Sequence, residues 1–203
     1  MPIITIDGNI GSGKTSVLNY LHKFYKVSVD LEPVESWSQY LTKMYNDKSD
    51  VFKFQIRVWL DRCWIQEKSD KTIVLMERSP YFIKNVFIKT AVETEMITKN
   101  EQKILMDLHQ KTDKLLVTNT MIYLRSSPEN CLKKIKKRNR PTEKNISLDY
   151  IEVLHENHEN TYVKACENYQ NVICIDTDGK SVSDVGNCIL LFLQETYPHV
   201  KYI

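Results

Sequence analysis

The stretch IITIDGNIGSGKTS, Ile3 to Ser16, decides the fold. Its first residues are β-branched or apolar, a glycine-rich turn follows, and a lysine with two hydroxyl residues closes it. GNIGSGKT, Gly8 to Thr15, fits the pattern G-x-x-x-x-G-K-[ST]. Glycines let backbone N–H groups converge on phosphate oxygens in a shape that a Cβ resists. Gly8, Asn9, Ile10, Gly11, Ser12, Gly13, Lys14, Thr15 and Ser16 are therefore expected to cradle a nucleotide phosphate chain. Lys14 suits the β- and γ-phosphates of ATP, and the Thr15 hydroxyl suits Mg²⁺. A helix opening near Lys14 adds the positive end of its dipole. The strand before and the helix after are the context that a working phosphate loop requires. This fixes the donor side of a reaction and leaves the acceptor open.

Four further strand-like runs follow: VSVDL (Val27–Leu31), TIVLME (Thr72–Glu77), MIYLR (Met121–Arg125) and VICID (Val172–Asp176). They are apolar enough to be buried on both faces. Between them lie segments with helical spacing, such as Val17, Leu18, Leu21 and Phe24, or Val153, Leu154 and Tyr162. The alternation predicts a parallel sheet covered by helices on both sides. With 5 Gly and 6 Pro in 203 residues there is no low-complexity linker, so one domain is expected over residues 1–203. A mobile basic insertion is expected near Lys133–Asn145.

Lys and Arg number 28 and Asp and Glu 26, a balance that gives no reason to expect nucleic acid or an anionic membrane as partner. Five scattered cysteines without a CxxC pair fit neither a disulfide framework nor a structural zinc site. No run approaches a membrane span, and the opening residues do not read as a signal peptide. The expectation is a soluble, reduced, cytoplasmic protein, for which the NIS sequon at Asn145 carries no meaning.

In a doubly wound sheet, ligands bind outside the carboxyl ends of the strands. DLEPVESW (Asp30–Trp37) puts Glu32 there, where a carboxylate either accepts a proton from an attacking hydroxyl or binds metal. LMERSPY (Leu75–Tyr81) repeats the arrangement with Glu77 and Arg78, followed by Ser79 as N-cap and Pro80 at the first helical position. In KKIKKRNRPTE (Lys133–Glu143), Arg138, Arg140 and Glu143 have the spacing of a closing lid around phosphate. The four lysines of that stretch read as solvated charge.

These motifs together resemble the deoxynucleoside kinase family, the group containing deoxycytidine, deoxyguanosine, mitochondrial thymidine and insect multisubstrate kinases. GNIGSGKT, EPVESW, MYND with FQIRVW, MERSPYF, IYLRSSPE, RNRPTE and LDYIEVLHENHE occur in the family order and span residues 3 to about 178. The compact length and short C-terminus suit a viral version. The resemblance implies a P-loop kinase fold, a five-stranded parallel sheet flanked by helices on both faces, with a basic lid at about 138–146. It implies transfer of the ATP γ-phosphoryl group to the 5′-hydroxyl of a deoxynucleoside, with Mg²⁺, in a homodimer.

By motif match, Glu32 is the base on that hydroxyl and Arg78 its neighbouring arginine. Thr15 and Glu77 are the metal-side pair, and Lys14, Arg138 and Arg140 surround the transferring phosphate. Tyr45 and Glu143 match the pair that holds the sugar 3′-hydroxyl. Gln55 matches the glutamine on the base edge, while Trp37, Phe54, Val58 and Phe87 match the walls of the base slot. His155 and His158 lack a third ligand and fall in a structural helix. Asp30 ranks below Glu77 as the magnesium-side acid.

The sequence departs from the family beside the base. Members favouring purines or deoxycytidine pair an arginine with an aspartate, and thymidine-accepting members carry apolar residues at both positions. Arg62 and Ile83 follow neither pattern. Without its acid, Arg62 either points elsewhere, hydrogen-bonds a base carbonyl, or pairs with Asp61 or another carboxylate; if buried, it needs some partner. Ile83 removes the acid a purine or cytosine site would use, so the reading leans to pyrimidines, thymidine first. A thymidylate-type nucleoside monophosphate kinase is the nearest alternative. A nucleotide-dependent switch of the GTPase kind would need an N-K-x-D motif, which is absent from the sequence.

Overall fold

The computed structural model describes residues 2–63, 73–112, 114–115 and 118–202. Five parallel strands form one sheet in the order β2-β3-β1-β4-β5. They are β1 (Ile3–Asp7), β2 (Ser28–Asp30), β3 (Val74–Glu77), β4 (Thr120–Arg125) and β5 (Asn171–Asp176). All five strand-like runs of the sequence lie in this sheet, with ends displaced by a residue or two; Thr72 lies outside the described residues. Every residue of β3 is buried, as expected of a strand covered on both faces.

Alternation along β4 shows how two cores arise from one strand. Ile122 and Leu124 pack with Leu18 and Leu21 of helix α1 (Lys14–Phe24) and with Ile189 and Leu193 of helix α9 (Val182–Thr196). Met121 and Tyr123 face the other way, against Ile151 and Leu154 of helix α8 (Leu148–Asn168). Successive strand side chains point to opposite faces, so a continuous apolar run feeds both layers. Truncating one of the fully buried leucines, Leu18 or Leu124, to alanine would cost about 2–5 kcal/mol. Phe24, expected on the buried stripe of α1, is 56% exposed, because the helix ends there and the chain turns away.

A third apolar cluster stands beside the sheet. It is built from helices α2 (Ser38–Asp47), α3 (Val51–Arg62), α5 (Lys89–Glu93) and α6 (Lys99–Thr112). Between β3 and α5 run a short helix, α4 (Pro80–Phe82), and a π-helical segment, Ile83–Ile88. Residues four apart share one face of a regular α-helix, and the wider π turn offsets them. Ile83 is thereby fully buried in the core while Phe87 faces the cavity described below.

The basic stretch is not an insertion. Lys133–Arg138 is the second half of helix α7 (Pro128–Arg138), whose Cys131 and Ile135 are buried against the sheet. The chain then leaves through Asn139 at φ 56° into a single 3-10 turn, Pro141–Glu143. No helix among the described residues is long and apolar enough to cross a membrane.

Candidate active site

A cavity of about 470 Å³ opens at the carboxyl ends of β1, β2 and β3. Its floor is the glycine-rich loop between β1 and α1. Gly11 packs so closely on helix α7 that a Cβ there would meet the Cys131 carbonyl oxygen at 2.5 Å. Gly13 takes φ 103°, a left-handed conformation that side chains resist, and starts α1. Lys14 folds back over the loop, its Nζ donating to the Gly8 and Asn9 carbonyls at 2.9 and 3.0 Å. Burial, and then the charge of Arg78, push its ammonium down to about 8. An added anion would reverse that cost.

Beside the loop, the Thr15 hydroxyl donates to Glu77 Oε1 at 2.7 Å, and the Glu32 backbone N–H donates to Glu77 Oε2 at 3.3 Å. Burial and the neighbouring Glu32 carboxylate raise the pKa of Glu77. Arg78 Nε donates to Glu32 Oε1, and the guanidinium lies 4.2 Å from the centre of the Phe87 ring. Burial pushes the Glu32 carboxyl up, but Arg78 and Lys14 more than offset it and hold Glu32 below the usual carboxylate range. Arg78 Nη1 is buried and has no hydrogen-bond partner among the described residues.

Arg78 owes its aim to the backbone. It sits at φ 64°, uncommon for a residue with a side chain, in the loop between β3 and α4. Its N–H donates to the Ile6 carbonyl at 3.0 Å, and the next N–H, of Ser79, donates to Asp7 Oδ1 at 2.8 Å. Asp7 is the residue before the glycine loop, and burial raises its pKa to about 6. Ser79 Oγ accepts from the Phe82 N–H and Pro80 follows, the expected cap.

The far end of the cavity is apolar. Trp37 stands edge-on to Phe54 at 5.8 Å, with Leu41, Met44, Val58 and Phe87 around them. Gln55 Oε1 is buried there without a partner among the described residues. Trp37 is held by its indole N–H, which donates to Asp61 Oδ2 at 2.7 Å, and Arg57 Nε donates to the same oxygen at 2.7 Å. At the mouth, Arg138 grips Glu143 with contacts of 2.7 and 2.8 Å, and Arg140 reaches it at 3.4 Å. Tyr45 lies near Glu143; burial, Tyr150 and the Glu143 charge push its phenol well above the ordinary value, so it stays protonated and able to donate.

Thus Ile10, Gly11, Gly13, Lys14, Thr15, Ser16, Glu32, Trp37, Tyr45, Phe54, Gln55, Val58, Glu77, Arg78, Phe87, Arg138, Arg140 and Glu143 all line one cavity. Gly8, Asn9 and Ser12 lie in the same loop but are not among the lining residues. Two expected base-reading residues are elsewhere. Arg62 has no exposed surface and turns inward, its Nη2 donating to Asp30 Oδ2 at 2.5 Å. Ile83 belongs to the core behind the aromatic wall. Asp30 accordingly pairs with Arg62.

Val34, Leu41 and Met44 also line the cavity, as do Lys134 and Lys137, which the sequence reading left as solvated charge. Lys134 stands four residues before Arg138 and three before Lys137 on α7, a spacing that puts it on a face with each of them and was a legible signal. His158 is buried between aromatic rings, with Nδ1 2.6 Å from the Leu154 carbonyl, and no group of three or more His, Cys, Asp or Glu placed to hold a metal ion occurs among the described residues.

The geometry agrees with comparison to known proteins. The deoxynucleoside kinase family model matches residues 4–189. Protein 029R of Invertebrate iridescent virus 3 is 31% identical over 194 residues, covering 94% of this chain and 95% of that one. Human mitochondrial thymidine kinase 2 is 30% identical over 175 residues, covering 80% of this chain and 64% of its own. A structure of M. mycoides deoxyadenosine kinase with bound dCTP superposes with a TM-score of 0.83 at 25% identity, covering 95% of this chain and 99% of that one. With a matching five-stranded sheet, glycine loop and family-wide sequence correspondence, this chain belongs to the deoxynucleoside kinase family and is a phosphotransferase.

Proposed function

We propose that the protein transfers the γ-phosphoryl group of ATP to the 5′-hydroxyl of a deoxynucleoside, yielding a nucleoside monophosphate for nucleotide salvage. The observation that carries this reading is the Glu32–Arg78 pair at the junction of the glycine loop and the aromatic slot. The slot suits a flat base, Gln55 offers an amide to its edge, and Tyr45 with Glu143 offers hydrogen bonds to a sugar hydroxyl. Glu32, kept ionised by Arg78 and Lys14, takes the 5′-hydroxyl proton as that oxygen bonds to the γ-phosphorus and the bond to ADP breaks. The loose transition state asks for positioning and positive charge more than for a strong base. Lys14, Arg78, Arg138 and Arg140 supply that charge.

Thr15 and Glu77 fit a divalent cation. A hydroxyl and a carboxylate oxygen, both hard ligands, meet beside the glycine loop, and Glu77 is burdened by a second carboxylate whose repulsion a cation relieves. When bound there, Mg²⁺ would supply positive charge to the donor's phosphate chain. The chain's own part is to hold Thr15 and Glu77 together there.

Pyrimidines, thymidine first, are the proposed bases, because the slot is apolar around Gln55 and the residue behind its aromatic wall, Ile83, is no aspartate. The family resemblance supports a homodimer, and five unpaired cysteines support a cytoplasmic location. The four deoxynucleosides and their monophosphates, each assayed with ATP and Mg²⁺, test the reading. Turnover of the monophosphates alone would replace it with a nucleoside monophosphate kinase.

A further inference from the structure

We propose that the buried Arg62–Asp30 ion pair is a positioning unit that sets the aim of Glu32 and Arg78, and that Arg62 takes no part in reading the base. The inference deepens the proposed function and rests on it for the meaning of its kinetic arm.

One guanidinium ties three elements together. Its Nη1 donates to the backbone carbonyls of Asp30, at 3.4 Å, and Glu77, at 3.1 Å. Its Nη2 donates to the Asp30 carboxylate at 2.5 Å, and its Nε donates to the Asp61 carbonyl at 3.1 Å. Asp30 ends β2, Glu77 ends the adjacent β3, and Asp61 lies in the last turn of α3. The two strands pair in parallel with Asp30 opposite Met76, so Arg62 bolts their carboxyl ends together where sheet pairing stops. Glu32 is two residues past the first bolt and Arg78 one residue past the second. The rigid five-donor fork of arginine suits such a junction, which a lysine cannot span.

Arg62 follows Gln55 and Val58 by seven and four residues on α3, so all three share a face, but Arg62 lies one turn beyond the cavity. Ile83, in the core, offers it no acid, whereas Asp30 is in contact. Reaching a base would break four hydrogen bonds and take the guanidinium away from the buried Asp30 carboxylate, a separation the low dielectric there penalises. The same turn of α3 holds Trp37 through the Asp61 side chain, so the aromatic wall and the Glu32–Arg78 pair share one anchor.

The test is the double variant Arg62→Met/Asp30→Val, which replaces both charged side chains of the pair with apolar ones. Expected are a melting temperature within a few degrees of the parent, amide exchange at Glu32 at least about tenfold faster by hydrogen–deuterium exchange, and kcat lower by about tenfold. Nucleoside KM should stay within about twofold and the order of kcat/KM among the four deoxynucleosides should not change. Unchanged exchange and kcat would overturn the positioning role, and a changed order of bases would overturn the claim that Arg62 does not read them. If the parent protein phosphorylates no deoxynucleoside, the proposed function falls, and the exchange measurement alone decides the role of the pair. Arg62→Lys, which keeps the charge and loses the fork, provides the same readouts should the double variant fail to fold. It should also accelerate exchange, and parent-like exchange would overturn the proposal.

Discussion

Arg78 meets the Glu32 carboxylate on one side and covers the Phe87 ring at 4.2 Å on the other. A cation placed this way does two jobs: it keeps Glu32 ionised, and it leaves one buried nitrogen, Nη1, without a partner among the described residues. A donor so placed is ready for an incoming phosphate or sugar oxygen.

Replacing Glu32 by glutamine preserves shape and removes the proton acceptor. Turnover should fall by about a hundredfold or more while nucleoside KM changes little. Steady-state kinetics under saturating ATP checks this, and parent-like kcat would remove Glu32 from the chemistry.

Glu77 is expected to act through the cation. Because Thr15 and Glu77 already touch at 2.7 Å, Glu77→Gln keeps the hydrogen-bond acceptor but halves the negative charge that Glu32 and Glu77 present. The Mg²⁺ concentration for half-maximal rate should rise by about tenfold or more. A Mg²⁺ titration at fixed ATP reads it directly.

The two lid arginines differ in how firmly they are held. Arg138 makes a forked contact with Glu143 at 2.7 and 2.8 Å, whereas Arg140 contacts it only at 3.4 Å. Arg140→Ala therefore leaves Glu143 paired and should lower kcat by about a hundredfold with nucleoside KM within about threefold. Arg138→Ala releases Glu143 and should raise nucleoside KM as well. Equal effects of the two variants on KM would contradict this division.

Acid should destabilise the fold through His109. The ring is 2% exposed, stacked 3.4 Å from Trp59, and neither nitrogen has a partner among the described residues. Burial pushes its pKa down to about 3. The unfolded ring protonates near pH 6.5 while the folded one stays neutral, so below that pH the unfolded state binds more protons and stability falls. Between pH 7 and pH 5 this amounts to about 2 kcal/mol. In His109→Phe, which keeps the stacking, urea denaturation at the two pH values should show that loss reduced by about the same amount.

Much of this protein is determined locally. Five apolar runs become five strands, three of them in the middle of the sheet and buried over nearly their whole length, while β5 at the edge is buried at Ile175 alone. The glycine loop, the Ser79–Pro80 cap and the order of carboxylates and arginines along the chain are likewise short-range signals. Once the strands are parallel, Glu32, Glu77 and Arg78 must emerge on one edge of the sheet, since every strand ends there.

What the sequence could not determine depends on the direction in which side chains point. Arg62 and Ile83 look, by motif position, like base-reading residues, and only packing shows Arg62 bound to Asp30, 32 positions away, with Ile83 in the core. The π-helical turn that separates Ile83 from Phe87 has no pattern of its own in the residues. Lys134 and Lys137 join the cavity because α7 lies over Gly11, a contact between distant segments. Read along the chain, the residues thus specify which chemical groups are present and which end of the sheet carries them. The tertiary structure alone decided which of those groups face the cavity and which are spent on one another, because a buried charge selects its partner in space and not along the chain.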